Sequence, residues 1–88
     1  MKWDRFTTLM EKEVINVFDG RRLGYVCDLE MDTANGRICS LIVPLEGERW
    51  NFFAKEQAYC IPWRCIKRIG DDIVLVELDA SAMVVCEN

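Results

Sequence analysis

Cysteine is the residue type with the widest chemical scope in this sequence, which has five cysteines and no histidine. Cys60 and Cys65 have four residues between them, and Cys65 lies beside Arg64 and close to Lys67. A thiolate next to basic side chains can act as a nucleophile, and two thiolates can form part of a metal site. These four residues are therefore the first candidates for catalysis or metal binding.

Catalysis and metal binding by cysteine usually need further residues, and this sequence lacks most of them. Without histidine, the commonest general base and the commonest metal ligand are missing. Structural zinc usually takes two closely spaced pairs of ligands, whereas Cys27, Cys39 and Cys86 are isolated. Free cysteine behaves as a small hydrophobic residue in a reducing cytoplasm. We therefore expect reduced thiols in or near the core, no obligatory disulfide, no metal, no cofactor and no catalytic residue.

Carboxylates and glycines also give no enzyme signature. The carboxylates lie at turns or on outward faces of strands, where solubility and turn formation explain them. They are Asp28, Glu30, Asp32, Asp71, Asp72, Glu77 and Asp79. No glycine precedes a helix with the spacing of a phosphate-binding loop. The sequence therefore predicts a protein that is not an enzyme.

An aromatic segment gives the sequence its candidate interaction surface. Trp50, Phe52 and Phe53 lie in a predicted strand at residues 49–54. Exposed aromatic patches are typical of interfaces, and symmetric pairs are the commonest soluble oligomers. Either these rings form the contact of a homodimer or another partner, or all three belong to the core of a monomer.

Charge and hydropathy restrict the classes of partner. The net charge is −4 and the pI is about 4.7, whereas nucleic-acid binding favours a basic surface. Basic clusters at Arg21 and Arg22, and at Arg64, Lys67 and Arg68, are explained as solvated faces. No apolar segment approaches the ~20 residues that cross a bilayer, and the N-terminus lacks the apolar centre of a secretory signal. We expect a cytoplasmic protein with an unidentified protein partner, without membrane insertion and without nucleic acid.

The first half of the chain reads as short strands separated by tight turns. A capping box at Thr8 and Glu11 predicts a helical turn at residues 7–11, before a strand at 14–18. Alternation predicts one face formed by Leu23, Tyr25, Cys27, Leu29 and Met31. Gly24 interrupts the polar face and predicts a bend or bulge. The loop at residues 32–36 predicts a hairpin in which Asn35 and Gly36 supply positive φ angles.

The second half continues the pattern. Pro44 ends a strand at residues 37–43, Pro62 ends one at 59–61, and the three-residue spacing of Trp63, Ile66 and Ile69 predicts a 3₁₀ turn that plugs a barrel end. Gly70 and Asp71 predict a type II′ hairpin. Residues 73–78 are apolar on both faces and predict a central strand, and residues 79–88 predict a loose tail. We find no internal repeat.

Together these elements predict a single all-β domain at residues 1–88. Five or six short antiparallel strands, with at most short helical turns, would remove their edges by closing into a small β-barrel. The family-like core covers about residues 8–78.

Two segments resemble a known family. The segment KEVINVFDGRRLGYVCDLEMDTANGRI at residues 12–38 resembles the first half of the PRC-barrel fold, and IPWRCIKRIGDDIVLV at 61–76 resembles the second half. Ile-Pro-Trp, followed by Ile-Gly-Asp-Asp before an apolar strand, is similar to the YlmC/YmxH group of stand-alone PRC-barrel proteins from spore-forming Firmicutes.

The resemblance implies a small barrel that docks other molecules without cofactor or catalysis. The wider family includes the photosynthetic reaction-centre H subunit and the C-terminal domain of the ribosome maturation factor RimM. The leading expectation is therefore a protein-binding adaptor associated with sporulation. The alternative is an RNA- or ribosome-associated maturation or assembly module similar to the RimM barrel.

Overall fold

The computed structural model describes residues 4–44, 57–79 and 84–87. Within these ranges the chain has one short helix, Phe6–Leu9 (α1), one 3₁₀ turn, Trp63–Cys65, and eight strands. The strands are Glu13–Asn16 (β1), Arg21–Tyr25 (β2), Asp28–Asp32 (β3), Arg37–Pro44 (β4), Gln57–Pro62 (β5), Ile66–Ile69 (β6), Ile73–Val76 (β7) and Val84–Glu87 (β8). The prediction of an all-β fold with short helical turns is confirmed.

The strands form two four-stranded sheets, with the orders β2-β1-β7-β6 (sheet A) and β3-β4-β5-β8 (sheet B). All neighbouring pairs are antiparallel except β1 and β7, which run parallel. The predicted count of five or six antiparallel strands is therefore wrong in number and in one pairing. The β6–β7 hairpin docks its apolar second strand on β1, and the apolar sequence of β7 suits this central place.

Gly24 lies at a β-bulge, as predicted. Val14 pairs with Gly24 and Ile15 pairs with Arg22, so Leu23 is the extra residue in β2. The φ angle of Gly24 is +118°, a conformation that residues with a Cβ rarely adopt. The bulge bends the chain out of sheet A and lets β3 begin in sheet B.

The bulge also makes the predicted alternation wrong. Leu23 is buried, but Tyr25 and Met31 are exposed, and the buried residue between the two strands is Val26. A single extra residue reverses the faces of all later residues in a strand. The backbone N–H of Cys27 donates to the carbonyl of Ile42 at 2.8 Å, which joins the connection to sheet B.

The two sheets enclose one apolar core. Both inner faces contribute to it, and β4 is buried over four consecutive residues, from Ser40 to Val43. The core residues are Leu9, Val14, Leu23, Val26, Leu41, Val43, Ile61, Val74, Val76 and Leu78. Ser40 satisfies its hydroxyl by donating to Glu30 Oε1 at 2.6 Å across the β3–β4 pair.

The predicted capping box is wrong, although the helical turn is present. Helix α1 begins at Phe6 with Arg5 at the N-cap position and without a side-chain cap. Thr8 therefore lies inside the helix, where its hydroxyl cannot cap the first turn. Lys12, three residues after the end of α1, holds this segment in place instead. Its side chain is buried, and its Nζ donates to Asp4 Oδ2 at 2.9 Å and to the carbonyl oxygen of Gly70 at 2.7 Å.

The turn between β6 and β7 is not of type II′. That type needs a positive φ at its first central residue, and Gly70 is not among the described glycines with positive φ. A close approach favours glycine there, since a Cβ at Gly70 would lie 3.3 Å from the carbonyl oxygen of Ile73, which is tighter than most real contacts.

The 3₁₀ turn is present at Trp63–Cys65, but it does not plug a barrel end. Trp63 and Ile69 are exposed, and only Ile66 packs against the core. A β-bulge between Ile66 and Arg68 explains the difference, because it breaks the three-residue spacing on which the prediction rested.

Two expectations about the C-terminal region are corrected. Val84–Glu87 form β8 and pair antiparallel with β5, instead of belonging to a loose tail. Cys60 on β5 is disulfide-bonded, whereas Cys27, Cys39 and Cys65 are in no disulfide, so the expectation that all the cysteines are reduced is wrong. The pairing of β8 beside β5 places a second cysteine-bearing strand next to Cys60, which a loose tail would not do.

Candidate docking surface

The aromatic residues predicted for an interaction surface, Trp50, Phe52 and Phe53, lie outside the described residues. The homodimer predicted from them stays a prediction. Among the described residues, a candidate surface lies at one end of sheet A.

An open cleft of about 430 Å³ lies where β1 and β7 end and the 3₁₀ turn begins. We call it the Phe18 cleft. Its lining residues are Phe18, Arg64, Cys65, Lys67, Glu77, Leu78 and Asp79. The parallel pairing of β1 and β7 brings these segments together, because the carboxyl ends of parallel neighbours meet at the same edge of a sheet.

One rim of the cleft is the turn between β1 and β2, at residues 17–20. The N–H of Gly20 donates to the carbonyl of Asn16 at 2.7 Å, and Gly20 has a φ of +75°. The N–H of Phe18 donates to Asn16 Oδ1 at 3.1 Å, and the N–H of Arg21 donates to Asp19 Oδ1 at 3.0 Å. Two side-chain acceptors and one glycine therefore fix the turn from within.

Asn16 also fastens this turn to the floor of the cleft. Its side chain is fully buried, with 0% exposure. Asn16 Nδ2 donates to the carbonyl of Leu78 at 2.9 Å, and the N–H of Leu78 donates to Asn16 Oδ1 at 3.0 Å. One amide thus satisfies both backbone groups of a buried residue that a strand ladder no longer pairs.

The turn holds two apolar side chains in the solvent. Val17 is 47% exposed and Phe18 is 56% exposed. A phenylalanine on a rigid turn loses little conformational entropy when it is covered, so it suits a contact residue. Because Phe18 is exposed beside a cleft, this end of sheet A is a candidate contact surface.

Charges of both signs surround the ring. Arg64 and Lys67 supply positive charge, and Glu77 and Asp79 supply negative charge. Lys67 Nζ lies 3.5 Å from Glu77 Oε2, and both side chains are about half exposed, so this ion pair contributes little to stability. An apolar centre with a charged rim is the usual composition of a protein–protein contact.

Cys65, the candidate nucleophile, forms part of the cleft wall. It is free and half-buried, and it packs against the core. Its carbonyl accepts the N–H of Glu77 at 2.8 Å, which links the 3₁₀ turn to the end of β7. Cys60 cannot join it as a second thiolate while it is disulfide-bonded. Across the residues described, no group of three or more Cys, Asp or Glu is placed to hold a metal ion.

Sequence reasoning missed Phe18 because residues 14–18 read as one β-branched strand. The strand ends at Asn16, and Val17 and Phe18 belong to the turn. A usable signal was present in the sequence. The segments NVFDGR at residues 16–21 and DTANGR at 32–37 share an Asn or Asp at the first and fourth positions, followed by Gly and Arg.

The sequence predicted a small closed β-barrel with a bend at Gly24 and a 3₁₀ turn after Pro62. The described residues show two sheets around one core, with that bend and that turn. The family model for the PRC-barrel domain matches residues 3–83. The chain therefore belongs to the PRC-barrel family. No helix in the described ranges has the length and apolar character needed to cross a membrane.

Two relatives narrow this assignment. The chain is 40% identical over 67 residues to the probable sporulation protein YlmC of Bacillus subtilis, covering 76% of this chain and 83% of YlmC. It is 36% identical over 67 residues to an uncharacterized protein of Clostridium acetobutylicum, covering 76% of each. The expected similarity to the YlmC group is confirmed.

Proposed function

We propose that this chain is a non-enzymatic, cytoplasmic adaptor that takes part in sporulation by binding another protein at the Phe18 cleft. The sporulation part is supported by YlmC, whose name assigns that protein a probable role in the process. A sequence without histidine favours binding over catalysis.

The exposure of Phe18 is the observation that carries the binding part. Phe18 is 56% exposed on a turn that three hydrogen bonds hold in shape, and it borders a cleft that also contains Leu78 and charged side chains of both signs. The buried side-chain amide of Asn16 fastens this turn to Leu78, a residue of the cleft lining, through two hydrogen bonds. A partner therefore meets a preformed surface.

Affinity capture from sporulating Bacillus subtilis cells tests the proposal with two matched variants. Phe18→Ser removes the ring from the cleft. Met31→Ser removes an equally exposed side chain, 58% against 56%, from β3 in the other sheet. We expect the wild type and Met31→Ser to retain the same protein and Phe18→Ser to lose it. Equal retention by all three proteins, or retention of nothing, would contradict the proposal.

The capture also separates a protein partner from RNA. Contacts to phosphate weaken steeply with salt, and RNA contacts disappear after ribonuclease treatment. We expect the captured protein to survive both treatments. Loss of all bound material with ribonuclease would support the RNA- or ribosome-associated alternative instead.

A further inference from the structure

The outer face of sheet A carries a row of four side chains in cross-strand register. Ile15 pairs with Arg22 of β2 on one side and with Leu75 of β7 on the other, and Leu75 pairs with Arg68 of β6. Residues in register on neighbouring strands point to the same face of a sheet. The row therefore runs from arginine through two aliphatic residues to arginine.

The two aliphatic residues at the centre of this row, Ile15 and Leu75, are unusual for a sheet face that is exposed to water. Strand β7 is apolar at all four positions, but the core covers only Val74 and Val76. Ile73 and Leu75 point outward and are half-buried, as is Ile15 on β1. Ile15 and Leu75 belong to the parallel β1–β7 pair, and a sheet face that is left to solvent normally has polar residues at such positions.

The face is also concave beside the row. A hollow of about 260 Å³ is lined by Arg68, Gly70, Ile73 and Leu75. Gly70 contributes to it by having no side chain, and its backbone N–H donates to the carbonyl of Ile73 at 2.8 Å. A side chain of a partner can enter this space and contact Ile73 and Leu75 together.

We propose that the outer face of sheet A binds an acidic amphipathic segment of a partner protein. Its apolar side chains cover Ile15, Ile73 and Leu75, and its carboxylates meet Arg22 and Arg68 at the two ends of the row. Both arginines are exposed. Arg22 Nε forms a long ion pair with Glu13 Oε1 at 3.9 Å, but the Arg22 side chain stays 77% exposed, so this pair is weak and a partner's carboxylate can compete for it. Arginine suits this role because its planar guanidinium pairs with a carboxylate through two hydrogen bonds.

Charge decides against a second copy of this chain as the occupant. A symmetric pair places the same face on itself, so the arginine-ended rows of the two copies would meet. Like charges facing each other in a contact are costly. This surface shares no residue with the Phe18 cleft, so its test stands whether or not Phe18 is a contact.

Fluorescence anisotropy with two synthetic peptides tests the proposal on the full chain. Each labelled peptide has about 15 residues, roughly four helical turns, with leucine on one face and either glutamate or lysine on the other. We expect the glutamate peptide to bind, with an affinity that falls as salt is added, and the lysine peptide not to bind. Binding of both peptides alike, or of neither, would overturn the proposal.

Charge reversal locates the contact. We expect Arg68→Glu to weaken binding of the glutamate peptide by about tenfold or more, and the further change Arg22→Glu to weaken it again. Arg37→Glu is the matched control, because Arg37 is exposed at the start of β4 in the other sheet. Equal loss in Arg37→Glu, or unchanged affinity in Arg68→Glu, would overturn the assignment to this face.

The apolar requirement is tested on the peptide, so that the protein stays intact. Replacing the leucines by serine while keeping the glutamates should abolish binding. Retained binding would show attraction by charge alone and would overturn the proposal. Sedimentation of the wild type and Arg68→Glu completes the test, since self-association of the wild type that Arg68→Glu removes would assign this face to a second copy and overturn the proposal.

Discussion

The turns at residues 16–21 and 32–37 have the same backbone design and different surroundings. In each, the glycine N–H donates to the carbonyl of the first residue at 2.7 Å, and the glycine φ is +75° or +74°. The side chain of the first residue accepts the third residue's N–H, at 3.1 Å in one turn and 2.9 Å in the other. The side chain of the fourth residue accepts the sixth residue's N–H, at 3.0 Å and 2.9 Å.

The similarity extends into the strands. Each turn is followed by a β-bulge at the same distance, with Leu23 as the extra residue in β2 and Cys39 in β4. The sequence interpretation found no internal repeat, and the structure shows that this hairpin is used twice, 16 residues apart by the numbering. Leu23 is buried and Cys39 is exposed, so the two copies contact the rest of the molecule differently.

The first residues of the two turns differ in burial and in hydrogen bonding. Asn16 is buried and bonds to Leu78, whereas Asp32 is exposed and bonds only within its own turn among the described contacts. The third residue differs as well, since Phe18 borders the cleft and its counterpart is Ala34. Local sequence specifies the turn, and the strands around it determine whether its first residue is buried and whether its third residue borders the cleft.

The largest expected effect on stability comes from replacing the first residue of the first turn, Asn16. Asn16→Ala leaves both buried backbone groups of Leu78 unpaired, and each such group costs about 1–3 kcal/mol. We expect a loss of about 3 kcal/mol in the free energy of unfolding. Asp32→Ala, in an exposed turn, should cost less than about 1 kcal/mol. Urea unfolding of the two variants checks this, and equal losses would show that the Leu78 contact contributes nothing.

The bulges differ at the residue after the extra one, which is Gly24 in β2 and Ser40 in β4. Only glycines have positive φ in the described residues, and Gly24 has +118°. We expect Gly24→Ala to cost about 2 kcal/mol through backbone strain, since a Cβ there meets only ordinary contacts at 3.6 Å or more. Thermal unfolding measures the cost, and Gly24→Val should destabilise at least as much. An unchanged melting temperature would mean that the bulge adopts another conformation in solution.

Substitution of the turn glycines tests whether the two turns have the same backbone conformation. Gly20 and Gly36 have nearly equal φ angles, and a Cβ at either would meet nothing within 4 Å. The same conformational cost, about 1 kcal/mol, is therefore expected for Gly20→Ala and Gly36→Ala. Chemical denaturation of both variants provides the comparison. A difference well beyond measurement error would show that the two turns are not equivalent.

The smallest effect on stability is expected when the third residues are exchanged. Phe18→Ala and Ala34→Phe change exposed side chains without removing a hydrogen bond, so each should alter stability by less than about 0.5 kcal/mol. Binding should nevertheless separate them. Phe18→Ala should lose the captured partner, and adding Ala34→Phe should not restore it, because a ring at residue 34 does not border the Phe18 cleft. Restored capture would mean that an aromatic residue on either turn is sufficient to bind the partner.

Much of the fold was predictable because it rests on local pattern. The bend at Gly24, the 3₁₀ turn after Pro62 and the central position of β7 each follow from a few consecutive residues. The cleft was not predictable in this way. It depends on the parallel pairing of β1 with β7 and on an Asn16–Leu78 contact that spans 62 residues. Neither leaves a periodic signal, and the bulges at Leu23 and Cys39 reverse the alternation that would otherwise indicate burial.

Photo-crosslinking in sporulating cells can show whether the turn at residues 16–21 contacts a partner and its counterpart at 32–37 does not. A benzophenone-bearing amino acid would replace Phe18 in one variant and Ala34 in the other. We expect a crosslinked protein adduct from position 18 and none from position 34. Adducts of equal yield from both positions, or an adduct from position 34 alone, would contradict it.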